Sequence, residues 1–575
     1  LTAFSIEETK SLNISIIFAL SRVKMTKFII ITGGVMSGLG KGVVTSSLGK
    51  LLKAKGFSVS AIKIDPYLNC DAGTMNPFEH GEVFVLKDGT EVDLDLGNYE
   101  RFLDTDLIGK DNITTGKVYR TVIEKERAGD YLGKTVQIIP HITDEINRRI
   151  WEVADETGVD IVLIEMGGTV GDIEGMPFLE AARQLHMEVG EEKNDLIFIH
   201  TTLVPMLDVV GEQKTKPTQH SVKALREIGI EPDIVVGRCK NKLEESTKRK
   251  ISLFCDVPED AVISSPDAEN IYRVPLILQD EGLTDCVMKR LNLPEILKEK
   301  EDTTVKESHR MEEWKNFLDR FENPTSKIDI ALVGKYTDLE DAYVSHEQAL
   351  NHCRAETKTQ INIKYVESED LEGENGPKEL LKDADGLLIP GGFGDRGVEG
   401  KIDALNYARV NQLPTLAICL GFQLSVVEFA RNVVGYEKAH SYEFDEKTPD
   451  PVIDLLPMQR GIDKMGGTMR LGAEKIIVKE GTKAYEIYQE NEIIERHRHR
   501  YEVNLDYKDE IESNGMVFSA HSTNEKRMEM LELEDHPFYI GCQFHPEFQS
   551  RPMKPAPLFF SFVNSILDKK SGEKE

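Results

Sequence analysis

Two α/β domains, each built on a largely parallel sheet, are predicted for this chain. Three observations carry the prediction. Short apolar runs of strand length alternate with stretches of helical spacing, the composition breaks near residues 293–327 before the strand pattern restarts, and 575 residues exceed what one hydrophobic core supports.

In the first half the apolar runs fall at residues 28–31, 161–164, 196–199 and 234–236. Each has the length of a strand buried on both faces, and helical patterns between them predict a parallel sheet covered by helices. Residues 293–327 are charged and poor in apolar side chains, and end in Asn323-Pro324-Thr325-Ser326, which predicts a linker with one amphipathic helix. The strand pattern returns at 328–334, 386–390 and 415–418. The expected boundaries are therefore a first domain over 25–292, a linker over 293–327, a second domain over 328–567 and a frayed tail over 568–575. Residues 1–24 are expected to be a non-native or disordered extension with Met25 as the natural start, since the apolar run at 14–20 lacks a basic leader and a small-residue cleavage site.

The hydrophobic share of 40% is ordinary for a globular protein, and a formal net charge of -30 has the wrong sign for a nucleic-acid or anionic-membrane partner. No other apolar run is long enough to span a bilayer. The seven cysteines are scattered, with neither a disulfide framework nor a C-x-x-C metal pattern, which fits a reducing cytoplasm.

The first strand runs into Gly33-Gly34-Val35-Met36-Ser37-Gly38-Leu39-Gly40-Lys41-Gly42. Glycines at a strand-to-helix turn let backbone N–H groups converge on an anion, and the lysine adds a mobile positive charge, so this is a candidate phosphate cradle. It departs from G-x-x-x-x-G-K-[ST]: Val35 stands where the first glycine belongs and Gly42 where the hydroxyl belongs. The missing hydroxyl moves magnesium ligation to carboxylates. Asp93-Leu94-Asp95, read as extended with both acids on one face, and Glu165, at a strand's carboxyl end, are the candidates. Downstream, residues 214–223 (KTKPTQHSVK) concentrate three lysines in an acidic protein and form the best second anion site.

In the second half, Cys419 lies between an apolar strand and a helical run. A nucleophile on such a turn is held exposed and strained, with the helix N-terminus aimed at its sulfur and the next N–H free for an oxyanion. Pro390-Gly391-Gly392-Phe393-Gly394 offers a further oxyanion donor. His545 and Glu547 in Cys542-Gln543-Phe544-His545-Pro546-Glu547-Phe548 alternate onto one face of an extended segment, so the carboxylate can orient the imidazole that activates Cys419.

Together these elements resemble the CTP synthase family from residue 25 to about residue 567, and the second half is similar to class I glutamine amidotransferases. The segments GGVMSGLGKG, DLDLGNYERF, GGTVGDIEG, KTKPTQHSVK, GGTMRLG and ERHRHRYEVN carry the resemblance. In the amidotransferase pattern G-x-C-x-G, Ala417 stands at the first position.

The resemblance implies a P-loop-like amidoligase domain followed by a glutamine amidotransferase domain, with glutamine hydrolysed by Cys419, His545 and Glu547. It implies ATP at Gly38, Leu39, Gly40, Lys41, Gly42, Val43 and Asp95, with Lys41 on the phosphates, and Mg2+ on Asp95 and Glu165. UTP, or CTP as inhibitory product, falls to Ser37, Asp172, Ile173, Glu174, Lys214, Thr215, Lys216, Pro217, Thr218, Gln219 and Lys250. Pro266, Asp267 and Ala268 align with a segment that approaches adenine. L-glutamine falls to Gly392, Leu420, Gly421, Phe422, Gln423, Glu443 and Arg500, where Arg500 suits the α-carboxylate. The resemblance further implies GTP as an activator that closes a lid containing residues 466–472, a cytoplasmic homotetramer, and an enclosed passage for ammonia. Two alternatives are corrinoid-directed amide synthases and a non-catalytic scaffold. The KTKPTQ segment argues against the first, and the retained Cys419, His545, Glu547, Lys41, Asp95 and Glu165 argue against the second.

Overall fold

The structure is a computed structural model that describes residues 26–75, 81–189, 194–207, 211–294, 307–335, 340–373, 375–455 and 469–572. The N-terminal extension and residues 456–468, which include the start of the expected lid, lie outside the described residues. Two compact units are present, one formed by residues 1–70 and 110–311, the other by 71–109 and 312–575.

The first unit is organised around seven parallel strands in the order Val262–Pro266, Ile234–Cys239, Leu196–Leu203, Lys27–Gly33, Ile161–Met166, Val59–Asp65 and Asn112–Thr114. Its central strands are buried along nearly their whole length, which is why they read as unbroken apolar runs. Val59–Asp65, Asn112–Thr114 and Val262–Pro266 gave no such run because they interleave Ser, Lys, Asp or Asn with their apolar residues. Helix Thr143–Thr157 packs Ile146, Ile150 and Val153 into the core beside Phe28, Ile164 and Phe198.

The second unit holds a nine-stranded sheet. Thr359–Glu367, Ser326–Gly334, Gly386–Ile389, Thr415–Ile418 and Tyr539–Cys542 run parallel, and Met528–Leu533, Met516–Ser522, Arg470–Val478 and Glu492–His499 continue it antiparallel. Apolar clusters cover both faces, one around Phe422 and Phe429, the other around Phe559 and Phe562.

Residues 71–109 pack in this second unit although their sequence position is in the first half. The reason is a set of strong long-range contacts. The carboxylate of Glu100, fully buried, accepts from Arg496 at 2.9 Å and from Arg551 at 2.8 Å. Glu91 pairs with Arg498 at 2.8 Å, and Phe102 meets Trp314 with ring centroids 5.4 Å apart. Charged groups buried this deeply stay folded only when paired in this way.

Two local expectations are corrected. The helix of the charged segment, Glu307–Glu322, buries Trp314, Phe317 and Leu318 at helical spacing and so is packed into the second unit. The tail is not frayed from residue 568, because helix Pro557–Gly572 continues through it and Lys570 pairs with Asp385 at 2.6 Å. Among the described residues, no helix is long and apolar enough to cross a membrane.

Candidate functional site

Strand Thr415–Ile418 is fully buried, and the chain turns sharply at Cys419 into helix Leu420–Phe429. Cys419 adopts φ 53° and ψ -99°, a left-handed conformation that costs a non-glycine residue about 1–3 kcal/mol. Close packing enforces the turn: a Cβ on Gly421 would lie 2.5 Å from the Ile389 carbonyl oxygen. The thiol sits 3.6 Å from the Arg498 carbonyl oxygen and 3.7 Å from Gln543 Nε2. The glycine turn after Ile389 comes equally close, since a Cβ on Gly391 would meet His545 Cε1 at 2.9 Å and Cys419 Cβ at 3.4 Å.

His545 Nδ1 bonds Glu547 Oε1 at 2.6 Å, with Glu547 fully buried. Nε2 of His545 is buried and faces the Cys419 sulfur, with no other hydrogen-bond partner among the described residues. Burial opposes an imidazolium at His545, but the charges of Glu547 and Cys419 outweigh it and push the group up to about 10. Burial would likewise protonate Glu547, yet the neighbouring His346 and His545 hold its carboxyl below the usual range. The alternating extended segment expected here is not found. Strand Tyr539–Cys542 ends earlier, and Pro546 opens a 3-10 turn, Pro546–Gln549, that brings the two side chains together instead.

Cys419, His545 and Glu547 line one cleft of about 370 Å³ with Gly391, Gly392 and Phe393. Of the other residues expected to grip glutamine, Leu420, Gly421 and Phe422 form the buried first turn of the helix after Cys419. Gln423 spends its amide N–H groups on the Tyr501 carbonyl at 2.9 Å and Gln543 Oε1 at 3.1 Å. Glu443 accepts from Gly394 N–H at 3.5 Å; burial raises its carboxyl, opposed by that bond and by Lys335 and Arg500.

Several groups here were not singled out from the sequence. Lys335 is buried and donates to the carbonyls of Phe393 and Gly394. Arg498 stacks on Phe393 at 4.9 Å. Lys401, 0% exposed, lies behind Gly392, and burial together with Lys335 pushes its ammonium down to about 7. Lys335 and Lys401 sit in unremarkable local patterns, and Arg498 lies within the segment ERHRHRYEVN without being singled out there.

In the first unit, strand Lys27–Gly33 leads into the glycine loop, and helix Lys41–Ala54 starts at Gly40, φ 81°, with no side-chain cap and no acid in its first turn. That leaves a bare positive helix end, the arrangement that attracts phosphate. Val35, in the first-glycine position, has φ 82°. Lys41 folds back over Gly33 and donates to the Gly168 carbonyl at 2.8 Å. Nearby His200, wholly buried, bonds Ser221 Oγ at 2.6 Å, and burial with the charge of Lys41 pushes it down to about 3, so it is neutral.

Glu165 stands near the carboxyl end of strand Ile161–Met166, 2% exposed and 3.3 Å from Lys63 Nζ. Asp95 is not extended: Asp93 caps helix Leu94–Leu103 through the Leu94 N–H at 2.8 Å, which puts Asp95 in the first helical turn. Among the described residues, no group of three or more His, Cys, Asp or Glu side chains is arranged to hold a metal ion. A hard dication bound through one or two carboxylates and substrate phosphates needs no such cluster, and the carboxylate oxygens of Asp95 and Glu165 are of the required type.

The lysine-rich segment leads into helix Lys216–Glu227, with Pro217 in its first turn. Gln219 bonds Thr215 Oγ1 at 3.0 Å, Thr218 bonds the Leu203 carbonyl at 3.1 Å, and Lys214 pairs with Glu212 at 2.6 Å. Lys250, exposed on helix Glu245–Cys255, also acts on Glu212. Asp172, Ile173 and Glu174 form an exposed 3-10 turn whose Asp172 accepts from Thr169 N–H at 3.0 Å, and Ser37 is exposed in the glycine loop.

Residues 27–293 match the family model described as CTP synthase N-terminus, and residues 338–565 match glutamine amidotransferase class-I. The chain is 58% identical to a CTP synthase of Archaeoglobus fulgidus over 94% of its own length and 98% of that protein's. It is 57% identical to a CTP synthase of Pyrococcus abyssi over 95% and 99%. Among solved structures it is similar to the glutaminase domain of Trypanosoma brucei CTPS with bound acivicin, at 39% identity and a TM-score of 0.40, covering 42% of this chain and 94% of that one.

Proposed function

The chain belongs to the CTP synthase family, a glutamine-hydrolysing carbon–nitrogen ligase that forms CTP from UTP with ATP, and from that premise we propose which residues perform each step. The observation that carries the proposal is Cys419, held at φ 53° in the same cleft as the buried His545–Glu547 pair.

In the glutaminase reaction, His545 takes the proton of the Cys419 thiol, and the sulfur adds to the carboxamide carbon of glutamine. Peptide N–H groups of Leu420 and the Gly391–Gly392 turn receive the oxyanion. The C–N bond breaks, His545 returns the proton, and ammonia leaves a thioester on Cys419. Water, deprotonated by His545, then releases glutamate. Glu547 keeps the imidazole oriented throughout. Arg500 takes the α-carboxylate and Glu443 the α-ammonium of glutamine, while Gly392, Leu420, Gly421, Phe422 and Gln423 shape the slot.

In the ligase reaction, the γ-phosphoryl of ATP passes to O4 of UTP with loss of ADP; ammonia then adds at C4 and phosphate leaves. Gly38, Leu39, Gly40, Gly42 and Val43 receive the ATP phosphates, and Lys41 offsets the charge developing on the transferred group. A magnesium ion on Asp95 and Glu165 would supply further neutralisation of the phosphates. Ser37, Asp172, Ile173, Glu174, Lys214, Thr215, Lys216, Pro217, Thr218, Gln219 and Lys250 hold UTP, or CTP as inhibitor. Activation by GTP and assembly as a homotetramer belong to the same reading and rest on the family resemblance.

Absorbance-monitored conversion of UTP to CTP, omitting ATP, magnesium, glutamine or GTP one at a time, tests this reading. Conversion requiring ATP and either glutamine or ammonium is expected. Glutamine hydrolysis with no change in UTP would sink the ligase assignment.

A further inference from the structure

His346 lines the same cleft and approaches Glu547 at Oε1, the oxygen that His545 Nδ1 also meets. It lies on helix Val344–Thr357, is 4% exposed, and its ring is fixed edge-on by Tyr343 and Phe559 at centroid distances of 5.9 and 6.3 Å. Its Nε2 faces Glu547 Oε1 at 3.5 Å and its Nδ1 faces Glu82 Oε1 at 3.6 Å. Both distances exceed a hydrogen bond, and neither ring nitrogen has any other partner.

An ionised carboxylate only accepts, and a neutral imidazole has one N–H and one lone pair. A neutral His346 between two carboxylates would turn its lone pair on one of them. One proton more than the neutral ring provides, held among Glu82, His346 and Glu547, lets the ring turn an N–H on both carboxylates. We infer that His346 is a positioning residue of the glutaminase: it carries that proton, holds Glu547 at the oxygen that it shares with His545, and is itself held by Glu82.

Glu82 is fixed in place. Its second carboxylate oxygen accepts from Ser345 N–H at 2.9 Å, and its own N–H bonds the Asp341 carbonyl at 3.0 Å. Without a second positive neighbour, the fully buried Glu547 would face desolvation with His545 alone. His346 supplies that neighbour.

Glu82 belongs to residues 71–109, and the same segment grips the cleft at two more points. Glu100 holds Arg496, whose carbonyl accepts from His545 N–H at 2.8 Å, and Glu91 holds Arg498, whose carbonyl lies 3.6 Å from the Cys419 sulfur. Helix Leu94–Leu103 carries both Glu100 and Asp95, the carboxylate assigned above to ATP and magnesium.

This inference rests on the proposed roles of Cys419, His545 and Glu547, and the test separates the two. The pH profile of glutamine hydrolysis is measured for the full chain and for the His346→Gln, Glu82→Gln and double variants, with ammonium-driven CTP formation as the check on folding. Among the described residues, the titratable and charged groups around the relay are Glu82, Glu547 and His545, with Cys419, Cys542, Glu495, His497 and His499 beyond them and Lys335 and Arg498 across the cleft. Removing a cation among them disfavours every anion the reaction needs. His346→Gln should therefore move the acid limb of kcat/KM for glutamine upward by about one pH unit.

Glu82→Gln should move the acid limb the same way by less, and add nothing in the His346→Gln background, because both act through one proton. A merely structural role would lower activity at all pH values without moving the limb. An unmoved limb in both single variants, or fully additive shifts in the double, would overturn the inference. Should His346→Gln lose ammonium-driven synthesis as well, Glu82→Gln alone decides. A wild-type chain that consumes no glutamine would instead overturn the reading beneath it.

Discussion

The two candidate sites are built on opposite plans. Around Cys419 the reacting groups already touch one another: Glu547 and His545 are 2.6 Å apart, a glycine turn presses on both the imidazole and the cysteine, and all are buried. Around the glycine loop of the first unit, Ser37 and the Asp172–Glu174 turn are exposed, and Lys41 rests on a backbone carbonyl. A catalytic base needs its protonation state set before substrate arrives, and a buried, self-complementary cluster sets that of His545. A phosphate cradle needs backbone N–H groups and a mobile cation, and its organisation is completed by the ligand. The first site stores its function in side-chain contacts, the second in backbone shape.

Substitutions can break this contrast. The largest effect is expected for Cys419→Ala, which should cut glutamine-driven CTP formation by about 10⁴-fold or more while ammonium-driven formation persists. Loss of both activities together would mean that the two sites are not separable. Lys41→Met should lower synthesis from either nitrogen source by about 10²–10³-fold and leave glutamine hydrolysis in place, as measured by glutamate release.

Glu547→Gln sharpens the comparison. His545 is raised to about 10, so its proton is held below that pH and lost as pH rises through it. Removing the carboxylate takes away the largest raising influence, so the alkaline limb of glutamine hydrolysis should move to lower pH, with a rate loss of about 10²–10⁴-fold. An alkaline limb that stays put would assign it to another group. The smallest effect is expected in the other site. Val35→Gly relieves a positive φ at some cost in chain entropy, for a net gain of about 0.5–1 kcal/mol, read as a rise of about 2 °C in the thermal midpoint.

Legibility followed the same division. Strands buried on both faces, such as Lys27–Gly33 and Thr415–Ile418, announced themselves as apolar runs, and the turns that follow them gave Lys41 and Cys419. Strands carrying polar groups, such as Val59–Asp65, did not. The His545–Glu547 pair was found for a reason the structure replaces, because residues two apart meet in an extended segment and here meet through a proline-opened 3-10 turn. Asp95 was read on a strand because its acid-apolar-acid pattern fits one, and the capping power of Asp93 won instead.

By itself the sequence determined the α/β class, the strand-end placement of the phosphate loop and of Cys419, and the family the chain belongs to. These follow from local patterns, since periodicity, glycine placement and short motifs act over a few residues. Only the tertiary structure decided that residues 71–109 pack with the second unit and that Glu100 is held by Arg496 and Arg551. It likewise decided that His346 sits between Glu82 and Glu547. Those contacts join residues hundreds of positions apart, and their energy comes from pairing buried charges, a requirement that no local window of sequence contains.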